Sequence, residues 1–250
     1  MPDFFSGALL FTVGFLSSIL NVFAGGGSSI TLPVLIFMGL DPVTANGTNR
    51  IGILAQCFFA SATFHRENRY NFRESLTLTS FTLPGAVAGA LCSISIGDVW
   101  FERILGVVMI GIVLTLVLPS PGSAGSQNAP APRRRWLTFL SMTGIGFYGG
   151  FIQVGVGFLL MAALYHILRM PLVKVNMHKV FIVFFYTIPA LAVFLLTDHV
   201  EWKTGLILAG GMSIGAWFAA RLALRSDNRM VRILLVVAII VMALKLLGVY

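Results

Sequence analysis

Charged side chains are scarce in this 250-residue chain. Only 10% of residues are Asp, Glu, Lys or Arg, whereas a soluble domain carries roughly a quarter. With 57% hydrophobic residues and a mean hydropathy of +0.91, the chain has more apolar side chains than a water-soluble core can hide. A soluble globular domain is excluded. Acids are fewer still, nine against 17 Lys and Arg. Asp41 sits at a segment mouth, and the one Asp or Glu within an apolar run is Glu102, at the start of that run. That argues against a buried carboxylate that binds a coupling proton or sodium. Cysteine is limited to Cys57 and Cys92, both in apolar runs. They read as small buried residues rather than a disulfide or metal site, and no cofactor motif is present. No cation precedes Arg50, so the first apolar run reads as a retained span, not a signal peptide. The net charge of +8 clusters in short loops. It indicates membrane orientation rather than a nucleic-acid partner.

Ten apolar segments are present, approximately 5–24, 28–40, 43–64, 75–96, 100–118, 136–156, 157–168, 172–197, 204–224 and 230–248. Eight are long enough to cross a hydrocarbon core of about 30 Å, which takes roughly 20 residues. The second and seventh are short. Each follows a glycine-rich break: Gly25, Gly26 and Gly27 in one case, Gly149 with Gly150 and Gly155 with Gly157 in the other. A proline, Pro42 or Pro171, opens the segment after each. A Pro-, Gly-, Ser- and Ala-rich stretch from Pro119 to Pro132 is the only linker-like sequence.

The second half resembles the first. Gly14, Asn21 and Gly25 match Gly146, Gln153 and Gly157, 132 residues on, while Pro42 and Arg50 match Pro171 and Lys179, 129 residues on. Gly85 matches Gly215, and Asp98, Arg103 and Leu105 match Asp227, Arg232 and Leu234. Matching loops have opposite charge. Arg66, Arg69 and Arg73 follow segment 3, whereas Asp198 and Glu201 follow segment 8. Asp98 and Glu102 follow segment 4, whereas Arg221, Arg225, Arg229 and Arg232 surround the 9–10 junction. Lys and Arg mark cytoplasmic loops, so the halves have opposite orientations. The expected fold is an all-α polytopic membrane protein of two inverted repeats of five segments: residues 1–118, a cytoplasmic linker at 119–135, and 136–250. The short segments must then cross, as thin or broken helices, and both termini lie outside a bacterial inner (plasma) membrane.

A cation within an apolar run is costly and by default functional. Arg50 and Lys179 each lie eight residues past a proline, about 12 Å along a helix, and they approach the midplane from opposite faces. The alternative is snorkelling or pairing with backbone carbonyls. Without buried anions, the pair calls for a negatively charged ligand. Glycine breaks let backbone N–H groups approach such a ligand, and a helix starting there turns its positive end towards it. Gly25, Gly26, Gly27, Gly155 and Gly157 are candidates on that ground; close helix packing is the rival explanation. Ser28 and Ser29 add hydroxyls, and Asn21 and Gln153 add amides. Asn46, Asn49 and Asn176 share helical spacing with the cations, as candidate donors or ties between helices. His178 is the histidine best placed as a proton relay.

The run from Gly14 to Pro33, GFLSSILNVFAGGGSSITLP, continues into LIFMGLDPVTANGTNR. With the weaker second copy at GFIQVGVGFLLMAAL and MPLVKVNMHK, it resembles the TauE/SafE family of sulfite-exporter-like permeases. The resemblance implies an anion permease for sulfite, thiosulfate, sulfonates or related organic anions. Alternating access past Arg50 and Lys179 is the expected mechanism. A dianion gains about twice 2.3 kcal/mol per 100 mV on leaving a cell that is negative inside, which mildly favours export. The rivals are a non-transporting partner subunit or receptor and a membrane-embedded lipid-phosphate enzyme. For the enzyme, only His178, Ser28 or Ser29 offers a base or nucleophile.

Overall fold

A computed structural model describes residues 4–66, 72–117, 135–168, 170 and 172–225. Segment 10, most of the linker, Arg69, Arg169 and Pro171 lie outside the described residues. Every regular element among the described residues is a helix: α1 (Phe4–Ala24), α2 (Ser28–Phe37), α3 (Pro42–Arg66), α4 (Phe72–Ser95), α5 (Asp98–Val117), α6 (Arg135–Phe151), α7 (Val156–Ala162), α8 (Leu172–Leu196) and α9 (Trp202–Arg225). A wider π turn, Ala163–Ile167, continues α7. The ends fall within a few residues of the apolar runs, because the runs themselves dictate the helices.

α1, α4, α8 and α9 are long and apolar enough to cross a membrane. α3 has a similar length, 25 residues, but carries Asn46, Asn49, Arg50 and Gln56 in its interior. α2 has 10 residues, about 15 Å of helix, which is half of a hydrocarbon core. α7 with its π turn is of similar length.

Among the described helices, the most extensive contacts join opposite halves. α1 lies along α9, and α4 lies along α6. α3 packs on α9 and α8, and α8 packs on α4. Replacing each helix by the one five places away turns the α1–α9 contact into α6–α4 and the α3–α9 contact into α8–α4. Matched glycines make these crossings close. On the α1–α9 seam, a Cβ at Gly215 would strike the Phe15 carbonyl oxygen, and one at Gly14 would lie 2.8 Å from that of Leu208. On the α4–α6 seam, Gly85 faces the Thr143 carbonyl and Gly146 that of Thr82. Hydroxyls tie both seams. Ser18 donates to the Met212 carbonyl at 2.7 Å, and Thr143 donates to the Phe81 carbonyl at 2.8 Å. Lipid provides little hydrophobic drive for helix association, so small residues and polar ties carry such seams.

One expected break is not a break. Gly149 and Gly150 remain helical within α6. They are glycine because neighbours press on them: Gly150 faces the Ala86 carbonyl, and Gly149 faces the Tyr186 hydroxyl. The chain leaves the helix only at Ile152 and restarts at Val156.

Candidate functional site

Two helix breaks meet at the centre. α1 ends at Ala24, and Gly25 turns the chain with φ +82°. α6 ends at Phe151, and Gly155 makes the equivalent turn with φ +73°. Both angles lie in the left-handed region that favours glycine. Gly25 also packs backbone to backbone against Gly157, its match in the sequence.

A helix that stops leaves its last carbonyls without intrahelical donors and concentrates negative partial charge there. Each buried cation goes to the carbonyl end belonging to the other half. Arg50, on α3, is fully buried. Its Nη2 donates to the Gly150 carbonyl at 2.5 Å and its Nη1 to Gln153 Oε1 at 3.3 Å. The guanidinium also lies 4.8 Å from the centre of the Phe194 ring, within cation–π range. Lys179, on α8, donates to the carbonyls of Asn21 at 3.0 Å and Val22 at 2.9 Å, and to Asn176 Oδ1 at 3.1 Å. There is no acidic residue between Asp41 and Glu67 or between Glu102 and Asp198. α3 and α6 to α8 therefore hold these cations without a carboxylate of their own.

The carbonyls do not use every donor. Arg50 Nε and Asn49 Nδ2, on consecutive residues, are buried without a hydrogen-bond partner among the described residues. Asn49 Oδ1 accepts from the Thr31 hydroxyl at 2.7 Å, which fixes the amide. Asn46 Nδ2 donates to the Phe151 carbonyl at 2.9 Å and to Ser93 Oγ at 3.3 Å. A cavity of about 10 Å³ lies between the breaks, lined by Lys179, Asn21, Gln153, Gly157, Gln56 and Cys57 among others. That is about the room of one water.

A family model described as sulfite exporter TauE/SafE matches residues 10–246. The chain belongs to this family. Its relatives include a probable membrane transporter protein, ORF9, of Sinorhizobium sp., 31% identical over 96% of this chain and 92% of the relative. A probable membrane transporter protein of Haemophilus influenzae is 29% identical over 96% of this chain and 93% of its own length. The probable membrane transporter protein YfcA of Escherichia coli is 28% identical, with 96% and 88% covered. No solved structure matches significantly.

In this TauE/SafE chain, the centre gathers Arg50, Asn46, Asn49, Gly25, Asn21, Gln153, Gly157, Asn176 and Lys179. Other candidates have local tasks. Ser29 Oγ donates to the Gly26 carbonyl at 2.6 Å. The Gly27 carbonyl accepts from Ser17 Oγ at 2.7 Å, and a Cβ at Gly27 would lie 2.8 Å from that oxygen. Ser28 is buried at the start of α2. His178 is directed elsewhere: Nδ1 meets Ser75 Oγ at 2.6 Å, and Nε2 lies 4.0 Å from Glu74 Oε2. It ties α8 to α4 and does not line the central cavity. Three residues escaped the sequence reading. Tyr186 accepts from Gln153 Nε2 at 3.0 Å, and Gln56 and Cys57 line the cavity. An amide six residues past Arg50 in an apolar run was the available signal for Gln56. Tyr186 left no signal in its aromatic-rich segment.

Proposed function

We propose that this chain is a permease for a small anion of the sulfite, thiosulfate, sulfonate or related organic-anion class. It works by alternating access in a bacterial inner membrane. The observation that carries this reading is the pair of buried cations, each held at the opposite half's helix break, with Lys179 and Arg50's partner Gln153 on one cavity wall. Carbonyl dipoles neutralise the cations only in part, so a ligand with full negative charge competes well for them. Anion oxygens would replace carbonyls as Arg50 and Lys179 ligands, assisted by the unused donors Arg50 Nε and Asn49 Nδ2. Release returns the cations to the carbonyls and lets the empty protein close again.

The opposite charges of matching loops support two inverted repeats of five segments, with a cytoplasmic linker and both termini outside. The exchange pattern of the helix contacts supports the same arrangement. α2 and α7, each half a membrane thick, would complete their crossings through the extended breaks. Since α3 and α6 to α8 have no acid, the membrane potential is the simplest driving force. It favours export of a dianion by about 4.6 kcal/mol per 100 mV, twice the figure for one charge.

Reconstitution tests the proposal. Liposomes loaded with unlabelled sulfite or thiosulfate should accumulate the labelled anion by counterflow when they contain the protein. Lys179→Gln should abolish the uptake. Equal uptake by protein-free liposomes, for every anion of this class, would refute it.

A further inference from the structure

Gln56 stands near the middle of α3, six residues past Arg50, and is 2% exposed. It shares the cavity wall with Lys179, Asn21 and Gln153. Its Nε2 lies 4.0 Å from Cys57 Sγ. Its Oε1 has no hydrogen-bond partner among the described residues. A buried carbonyl oxygen without a donor is unfavourable, and in an apolar span it is avoidable by any aliphatic residue. Gln56 also stands on the wall of a site whose other members attract negative charge. A ligand that presents only acceptors, such as a fully deprotonated oxyanion, meets it with repulsion. A ligand with its own O–H or N–H satisfies it, while the negative end goes to Lys179.

We propose that Gln56 is a specificity-determining residue, its Oε1 selecting anions that carry a hydrogen-bond donor of their own. This rests on the anion-permease reading above and narrows its substrate class. The donor can be a hydroxyl on an organic anion or the proton of a singly protonated inorganic oxyanion. Two probe pairs distinguish these sources. Hydroxyethanesulfonate and ethanesulfonate differ by one hydroxyl. Hydrogensulfite and methanesulfinate, compared at mildly acidic pH, differ by a hydroxyl against a methyl.

Binding of all four is titrated on the purified parent and on Gln56→Met, which keeps the length of the side chain without its amide. The parent should prefer the donor-bearing member of at least one pair by about tenfold, a modest demand for one hydrogen bond in a dry site. Gln56→Met should bind both members equally, and its melting temperature without ligand should be no lower than the parent's. Should Gln56→Met fail to fold, Gln56→Leu is read the same way. Which pair shows the preference identifies the source of the donor. Equal affinities within both pairs in the parent, or a preference that survives the substitution, overturns the assignment of Gln56 alone. Failure of every probe to bind a parent that binds thiosulfate overturns this inference alone; failure of thiosulfate as well overturns the permease reading with it.

Discussion

Gly157→Ala tests the contact between the two breaks. Gly157 and Gly25 lie backbone on backbone, so a Cβ at Gly157 would approach the Gly25 Cα and carbonyl oxygen, with the carbonyl carbon at 2.8 Å. None of these atoms belongs to a side chain that can rotate away. Relief requires the two breaks to separate. Overpacking of this kind costs about 1–3 kcal/mol. For a chain of this size that is a fall in Tm of roughly 2–12 °C. The separation should also lengthen the bonds from Lys179 to the α1 carbonyls, because Gly25 and those carbonyls belong to the same chain turn. Gly106→Ala is the control: a Cβ there meets nothing within 4 Å among the described residues. The assay is thermal unfolding of both variants in detergent without ligand. A Gly157→Ala protein that melts with the parent, while Gly106→Ala does the same, would refute the close contact between the breaks.

Tyr186→Phe keeps the ring and removes the acceptor of Gln153 Nε2, leaving a buried N–H unpaired. Thermal or denaturant unfolding should show a loss of about 1–3 kcal/mol. His178→Gln should lower stability through the lost Ser75 contact yet leave anion affinity within about twofold of the parent's, because His178 does not line the cavity. A larger change in titration would place it in the site. With Cys57 and Cys92 replaced, a cysteine at Ser126 should react only from the cytoplasmic side and one at Asp198 only from outside. Labelling of both from one face would remove the inverted arrangement.

The membrane class and the helix positions were legible because apolar runs and their breaks are local properties of sequence. The matched pair Gly25 and Gly157 was legible as a repeat, and the structure brings the two into contact. The partners of the cations were not legible. Arg50 bonds a carbonyl 100 residues away, and Lys179 bonds one 158 residues away. Every residue has a carbonyl, so no side-chain type announces it. Gly149 and Gly150 misled for a related reason. In a membrane span, glycine serves equally to break a helix or to let another come close, and the sequence is the same in both cases. His178 shared the spacing of the site residues, but helical spacing fixes a face of α8, not the neighbour that face meets. Here the neighbour is the start of α4.

Titration of sulfite and thiosulfate against four variants tests the central site most directly. Arg50→Gln and Lys179→Gln should each weaken binding by at least about tenfold, on the order of 1.4 kcal/mol. That is a conservative demand, since a hydrogen bond to a charged group contributes about 1.5–3 kcal/mol. Arg50→Lys should retain part of the affinity but lose selectivity among oxyanions, because it keeps the charge without the planar fork. Arg69→Gln, in the loop between α3 and α4, should bind like the parent. If Arg50→Gln and Lys179→Gln bind both anions as tightly as the parent, the cations only tie the helix ends together, and the site lies elsewhere.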